Sequence, residues 1–153
     1  MAEAIARAVA AERGLQDLVV ESAGTGAAPI SRDPDVPGPG ASDGALLVAM
    51  EHGLDLNDHR SRPLTREMVD AADLVLAMGD RHLARVVELG GAGKAHLLAG
   101  FASEGRSQRG IEDPFGGPLS AYRVTFDDLD REIRRALDRL GAARGPDGDR
   151  GPG

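Results

Sequence analysis

Cysteine and tryptophan are both missing from this sequence of 153 residues. Without cysteine there is no disulfide, no thiolate metal site and no cysteine nucleophile within these residues. Aromatic residues are scarce, with three Phe and one Tyr, so the core must be aliphatic. Lysine occurs once, at Lys94, and every other basic residue is arginine. That bias suggests a GC-rich coding sequence and says little about binding. A net charge of −7 argues against a nucleic-acid partner, which needs a concentrated basic face. No apolar run approaches the ~18–20 residues of a membrane span, and the basic, apolar and cleavage regions of a signal peptide are not seen. The chain reads as soluble and cytoplasmic, with no membrane partner.

What is present fits one domain. The length lies within the usual range of roughly 100–200 residues, and 41% of residues are hydrophobic. Residues 2–13 predict a helix of good helix formers stopped by Gly14. Leu18-Val19-Val20 predicts a short buried strand. The stretch 24–44 is rich in Gly, Pro, Ser and Asp and predicts a long loop. Helices are expected at 45–52, closed by Gly53, and at 65–72, with Thr65 as the cap. Residues 73–78 form the clearest strand pattern, followed by a helix over 80–89 and a strand over 95–98. The strongest periodicity is in the last helix, where Leu119, Tyr122, Phe126, Leu129, Ile133, Ala136, Leu137 and Leu140 recur at three- and four-residue spacing. Asp127/Arg131 and Asp130/Arg134 are spaced as ion pairs on its other face. After Gly141 almost no apolar surface remains, which predicts a disordered tail over 141–153 behind a domain of residues 1–140. Strands alternating with helices imply an α/β three-layer sandwich with a mainly parallel sheet.

Chemistry-bearing residues carry two readings each. In Ile111-Glu112-Asp113-Pro114-Phe115-Gly116-Gly117, Asp113 is good turn chemistry before Pro and Gly. It is also a carboxyl on a constrained loop, suited to protonating a leaving group, with Phe115 as an apolar wall beside a planar substrate. Ser22 reads as a hydroxyl at a strand end, and His59 as a solvated imidazole in Asp58-His59-Arg60-Ser61-Arg62. Other candidates carry less. Gly24-Thr25-Gly26 lacks the further glycine of a dinucleotide fingerprint, and in Gly90-Gly91-Ala92-Gly93-Lys94 the lysine leads into a strand rather than a helix. His52, His59, His82 and His96 show no metal-ligand spacing. No metal and no cofactor is expected.

The collinear segments Met1-Ala2-Glu3-Ala4, Glu21-Ser22-Ala23-Gly24-Thr25, Glu51-His52-Gly53-Leu54, Ala72-Asp73-Leu74-Val75-Leu76-Ala77-Met78 and Ile111 through Tyr122 resemble the low-molecular-weight protein phosphatase family over roughly residues 1–140. The single aromatic in Asp113-Pro114-Phe115-Gly116-Gly117 is closer to the bacterial protein-arginine phosphatase branch than to the animal tyrosine phosphatases. The resemblance implies a phosphorylated protein substrate and hydrolysis through a phosphocysteine intermediate. It implies Asp113 as general acid and Phe115 in the substrate pocket. Ser22 and His59 would support the asparagine of the phosphate-binding loop Cys-x-Gly-Asn-x-x-Arg-Ser-Pro.

In the family that loop ends just before a Met-Ala-Glu-Ala segment, so this chain is expected to begin where the loop would end, without its nucleophile and without the sheet's first central strand. A strand of ~5–6 residues would be lacking between the strands around Val19 and Leu76, with each buried group left unpaired costing about 1–3 kcal/mol. The 153-residue chain is accordingly expected to be inactive and prone to aggregate. Three readings follow: a phosphatase whose start lies upstream of Met1, a non-catalytic remnant or binding protein, and an unrelated α/β binding module. Tyrosine against arginine preference and oligomeric state stay open.

Overall fold

In the computed structural model the described residues are 1–26, 33, 36 and 38–143. Among these described residues six α-helices and two strands follow one another in the order α1 (Ala2–Glu12), α2 (Asp43–Glu51), α3 (Arg66–Ala71), β1 (Val75–Ala77), α4 (Asp80–Val86), β2 (Ala95–Leu97), α5 (Leu98–Ala102) and α6 (Leu119–Ala143). A wide turn over Val87–Gly91 continues α4 towards β2. The strands pair in parallel, Val75 with Ala95, Leu76 with His96 and Ala77 with Leu97, and α4 is the crossover between them.

Local chemistry sets the helix ends. Gly14 (φ 68°) and Gly53 (φ 75°) take the left-handed conformation just past α1 and α2, where a side chain would be strained. The amides of Leu15 and Leu54 then close back on the carbonyls of Ala10 and Ala49, at 2.9 and 2.8 Å. Thr65 caps α3 as expected, its hydroxyl accepting from the Met68 amide at 3.2 Å.

The core lies where α1, α2 and α5 pack on the long α6. Ile5, Val9, Val48, Leu98, Phe126, Leu129, Ile133 and Leu137 are buried together there, and Leu76 packs against them. The next residue along β1, Ala77, is buried outside this cluster together with its register partner Leu97, as are Val69 of α3 and Val86 of α4. Alternation along β1 therefore sends neighbouring side chains to opposite faces. The α/β layering expected from the sequence is present, built on a small parallel sheet.

Four expectations are corrected. Leu18-Val19-Val20 is irregular rather than a buried strand, and Val19 is 82% exposed. A strand needs a ladder partner, whereas here the Val20 carbonyl accepts two N–H groups of the Arg7 guanidinium at 3.2 and 2.9 Å. Among the described residues the sheet has two strands, so the expected facing edge at Val19 does not exist. Leu98–Ala102 forms α5, which the apolar run hid. Finally, α6 runs through Gly141 to Ala143, so the expected tail does not begin at 141. Residues 144–153 of that tail, and part of the expected 24–44 loop, lie outside the described residues.

Candidate active site

The C-terminal end of β1 gathers segments from distant parts of the chain. The Ile111 amide donates to the Met78 carbonyl at 2.7 Å. Gly110 lies so close that a Cβ there would sit 3.0 Å from that carbonyl oxygen and 3.6 Å from the Gly79 Cα. Gly79 caps α4, and in the first turns of α4 the His82 ring nitrogen Nδ1 shares a short hydrogen bond with the Thr25 hydroxyl. The loop leading to Asp113 and the turn after Ser22 are thereby brought to one strand end. In open α/β sheets, ligands bind outside the carboxyl ends of the strands.

Ser22 and His59, far apart in sequence, meet at Glu3. The Ser22 hydroxyl donates to Glu3 Oε1 at 3.2 Å, and His59 Nδ1 lies 3.8 Å from Glu3 Oε2. Arg7 lies at 3.8 Å from the same carboxylate. Beside them, burial pushes the Met1 amino group below its ordinary value, with the Glu3 carboxylate acting in the opposite direction. Glu3 was not singled out from the sequence, where it reads as the acidic residue of a first helical turn. Its side chain is only 17% exposed, and that is the distinction sequence could not show. Behind this group, Arg62 Nε donates to the Ser22 carbonyl at 3.0 Å.

The Asp113 loop has the turn geometry that its sequence offers. Asp113 Oδ1 accepts the Phe115 amide at 3.0 Å, and the Gly117 amide donates to the Pro114 carbonyl at 2.8 Å. This holds Asp113 at the surface and leaves Phe115 78% exposed. Clefts flank the loop on both sides. One of about 420 Å³ lies against α2 and Tyr122, lined by Ser42, Gly44, Leu47 and Phe115. The other, of about 560 Å³, runs along α6 and is lined by Arg109, Asp113, Val124 and Asp128.

One set of residues escaped the sequence reading. Arg109, four positions before Asp113, grips Asp128 with both terminal nitrogens, at 2.8 and 2.5 Å, and reaches Glu132 at 2.9 Å. These bonds, Asp128's first of all, raise the Arg109 pKa. The Arg109 bonds in turn hold the Asp128 carboxyl below the usual carboxylate range. Glu132 is buried, and Arg131 and Arg135 also lie within 3.6 and 3.5 Å of it. Arg131 thus turns to Asp128, at 2.6 Å, rather than to the expected Asp127. Asp130 and Arg134 do pair as expected, at 3.1 Å, and Arg134 also bridges to Glu12 of α1 at 2.8 Å.

The site offers an exposed carboxylate on a short turn, an exposed aromatic ring beside it and a hydroxyl–carboxylate–imidazole group. The chain supplies no thiol to them. Among the described residues, no three His, Asp or Glu side chains gather as a metal site.

Comparison with known proteins gives concordant results. The model of the low molecular weight phosphotyrosine protein phosphatase family matches residues 1–144. The chain is 32% identical over 140 residues to the protein-arginine-phosphatase of Bacillus subtilis, covering 92% of this chain and 87% of that one. It is 33% identical over 144 residues to the low molecular weight protein-tyrosine-phosphatase Wzb of Escherichia coli strain K12, covering 90% of each. Among solved structures it superposes on the YwlE arginine phosphatase with a phosphorylated active-site serine, at a TM-score of 0.80 and 32% identity, over 94% of this chain and 88% of that one.

Proposed function

Because this chain belongs to the low molecular weight phosphotyrosine protein phosphatase family, we propose that it is a protein phosphatase that hydrolyses phosphoarginine or phosphotyrosine in proteins. In this reading a cysteine thiolate, which these 153 residues do not contain, attacks phosphorus. The P–S bond forms as the P–N or P–O bond breaks, and Asp113 gives its proton to the departing guanidino nitrogen or phenolate oxygen. Water then attacks phosphorus, Asp113 takes a proton back, and the P–S bond breaks to release phosphate and regenerate the thiolate. Phe115 forms a wall beside the planar leaving group. Ser22 and His59, joined through Glu3, brace the phosphate loop. A cytoplasmic location belongs to the same reading; among the described residues no helix is long and apolar enough to cross a membrane.

The observation that supports this reading best is the convergence at the end of β1. The Asp113 loop is bonded there through Ile111 to Met78, and the Ser22 turn through Thr25 to His82. A second reading, a binding protein without catalysis, is favoured by one fact, the lack of any cysteine in the sequence. Without the thiolate, Asp113 can supply only about 10²–10⁴ of rate, against the roughly 10⁶–10¹⁷ typical of enzymes.

The test compares two polypeptides on phosphoarginine and phosphotyrosine peptides. The 153-residue chain is expected to show no turnover above background. A chain extended by the roughly 14–18 in-frame codons upstream, enough for the signature and a strand of ~5–6 residues, is expected to turn over at least one substrate. A stop codon in that window, or a frame without Cys and Arg, would leave the binding-protein reading standing instead.

A further inference from the structure

We infer that Arg109 is a positioning residue for Asp113, clamping the root of the acid loop onto α6 so that the carboxyl is held in one pose. The inference rests on the general-acid reading of Asp113. No regular element spans residues 107–114, so the pose of Asp113 depends on how the loop's root is fixed. Three ties fix it. The Arg109 guanidinium takes Asp128 with a two-pronged grip and extends to Glu132. The Ile111 amide is bonded to Met78 and its side chain is buried. The Thr125 hydroxyl, also on α6, approaches the Glu112 carbonyl at 3.4 Å.

The three α6 residues Thr125, Asp128 and Glu132 follow helical spacing on one face, and two of them are buried polar residues next to an otherwise apolar stripe. A buried carboxylate is costly unless paired. Arg109 is the nearest cation to Glu132, so the stripe selects an arginine at this point of the loop. A planar guanidinium forks onto a carboxylate with defined direction, which an ammonium does not. Arg109 thus fixes orientation as well as distance, and Asp113 lies four residues downstream, beyond two further anchored positions. A misplacement of about 1 Å at a reacting group can cost on the order of 10²-fold in rate.

The kinetic test uses the upstream-extended chain of the preceding test with a substrate of poor leaving group and an activated aryl phosphate. Arg109→Lys keeps the charge and the buried pairing but loses the fork, so it is expected to fold. It should lower kcat by on the order of 10²-fold on the poor leaving group, much less on the activated one, with KM unchanged. In the Asp113→Asn background the same substitution should cost nothing more. An additive loss in that double variant, or an equal loss on both substrates, would overturn the inference while leaving the acid role intact. If Asp113→Asn itself shows no dependence on leaving group, the acid reading fails and the inference falls with it. A readout without turnover is amide exchange in the 153-residue protein. Arg109→Lys should speed exchange at Phe115, whose amide reports the Asp113 pose, while α1 and α2 keep their protection. Unchanged exchange at Phe115 would refute the clamp whatever the kinetics.

Discussion

Substituting Gly44 by alanine sets two opposing effects against each other. In the first turn of α2, a Cβ at this position would lie 2.5, 2.6 and 2.9 Å from Cε2, Cδ2 and Cγ of Tyr122. Alanine is the better helix former by ~0.8–1.0 kcal/mol in a helix interior, and the gain is smaller this near an end. The ring, however, cannot step aside. Tyr122 is 6% exposed within the core, and its hydroxyl accepts from Ser42, the residue before α2, at 3.0 Å. Overpacking of this kind costs about 1–3 kcal/mol, and straining the Ser42–Tyr122 bond puts a further ~0.5–1.5 kcal/mol at risk. The clash should prevail, leaving Gly44→Ala less stable by about 1–3 kcal/mol. Each kcal/mol corresponds to about 2–4 °C of melting temperature in a domain of this size. Urea unfolding followed by circular dichroism should show a lower midpoint with an unchanged slope. Tyr122→Leu removes the ring, and in that background Gly44→Ala should become neutral or stabilising. A midpoint equal to or above that of the parent chain, with Tyr122 in place, would refute the reasoning.

Other substitutions probe other ties. Leu98→Ala empties a nearly fully buried site between the sheet and α6 and should cost about 2–5 kcal/mol in urea unfolding. Thr65→Ala removes the hydroxyl that accepts the Met68 amide and should cost ~1 kcal/mol, whereas Thr65→Ser should restore most of it. Acid should weaken the Arg109 clamp. The folded Asp128 carboxyl is held below its ordinary value, so its contribution is complete above the unfolded carboxylate value of ~3.9. That contribution is lost as pH falls through the lowered folded value. Asp128→Asn should flatten the stability profile in that window, measured by unfolding midpoints at successive pH values.

How far the sequence could be read depended on whether a pattern was local. The apolar stripe of α6 was legible because one helix carries all of its positions, and Phe126, Leu129, Ile133 and Leu137 are buried as the spacing requires. The cap at Thr65 and the stops at Gly14 and Gly53 need only their own neighbours. By contrast, Leu18-Val19-Val20 is apolar and β-branched, but whether it becomes a strand depends on a partner elsewhere in the fold. In α5, Leu97 ends a strand while Leu98 begins a helix, and an unbroken apolar run with Gly100 inside it shows no period to mark the change.

The site divides along the same line. Asp113, Phe115, Ser22 and His59 could be picked out because each sits in a short recognisable segment. Glu3, which joins two of them, and Arg109, which roots the loop of the other two, could not. Their partners lie 19 and 56 positions away for Glu3 at Ser22 and His59, and 19 and 23 positions away for Arg109 at Asp128 and Glu132. One local trace did exist. Thr125 and Glu132 interrupt the inward side of a helix whose other inward positions are apolar, and a polar residue buried at helical spacing must be answered by another element. The long polar loop between α5 and α6 holds Arg106 and Arg109 as the nearest basic candidates in sequence, and the fold uses Arg109. A polar break in an otherwise apolar helical stripe is therefore a signal to search the flanking loops for its counter-charge, even when no motif marks it.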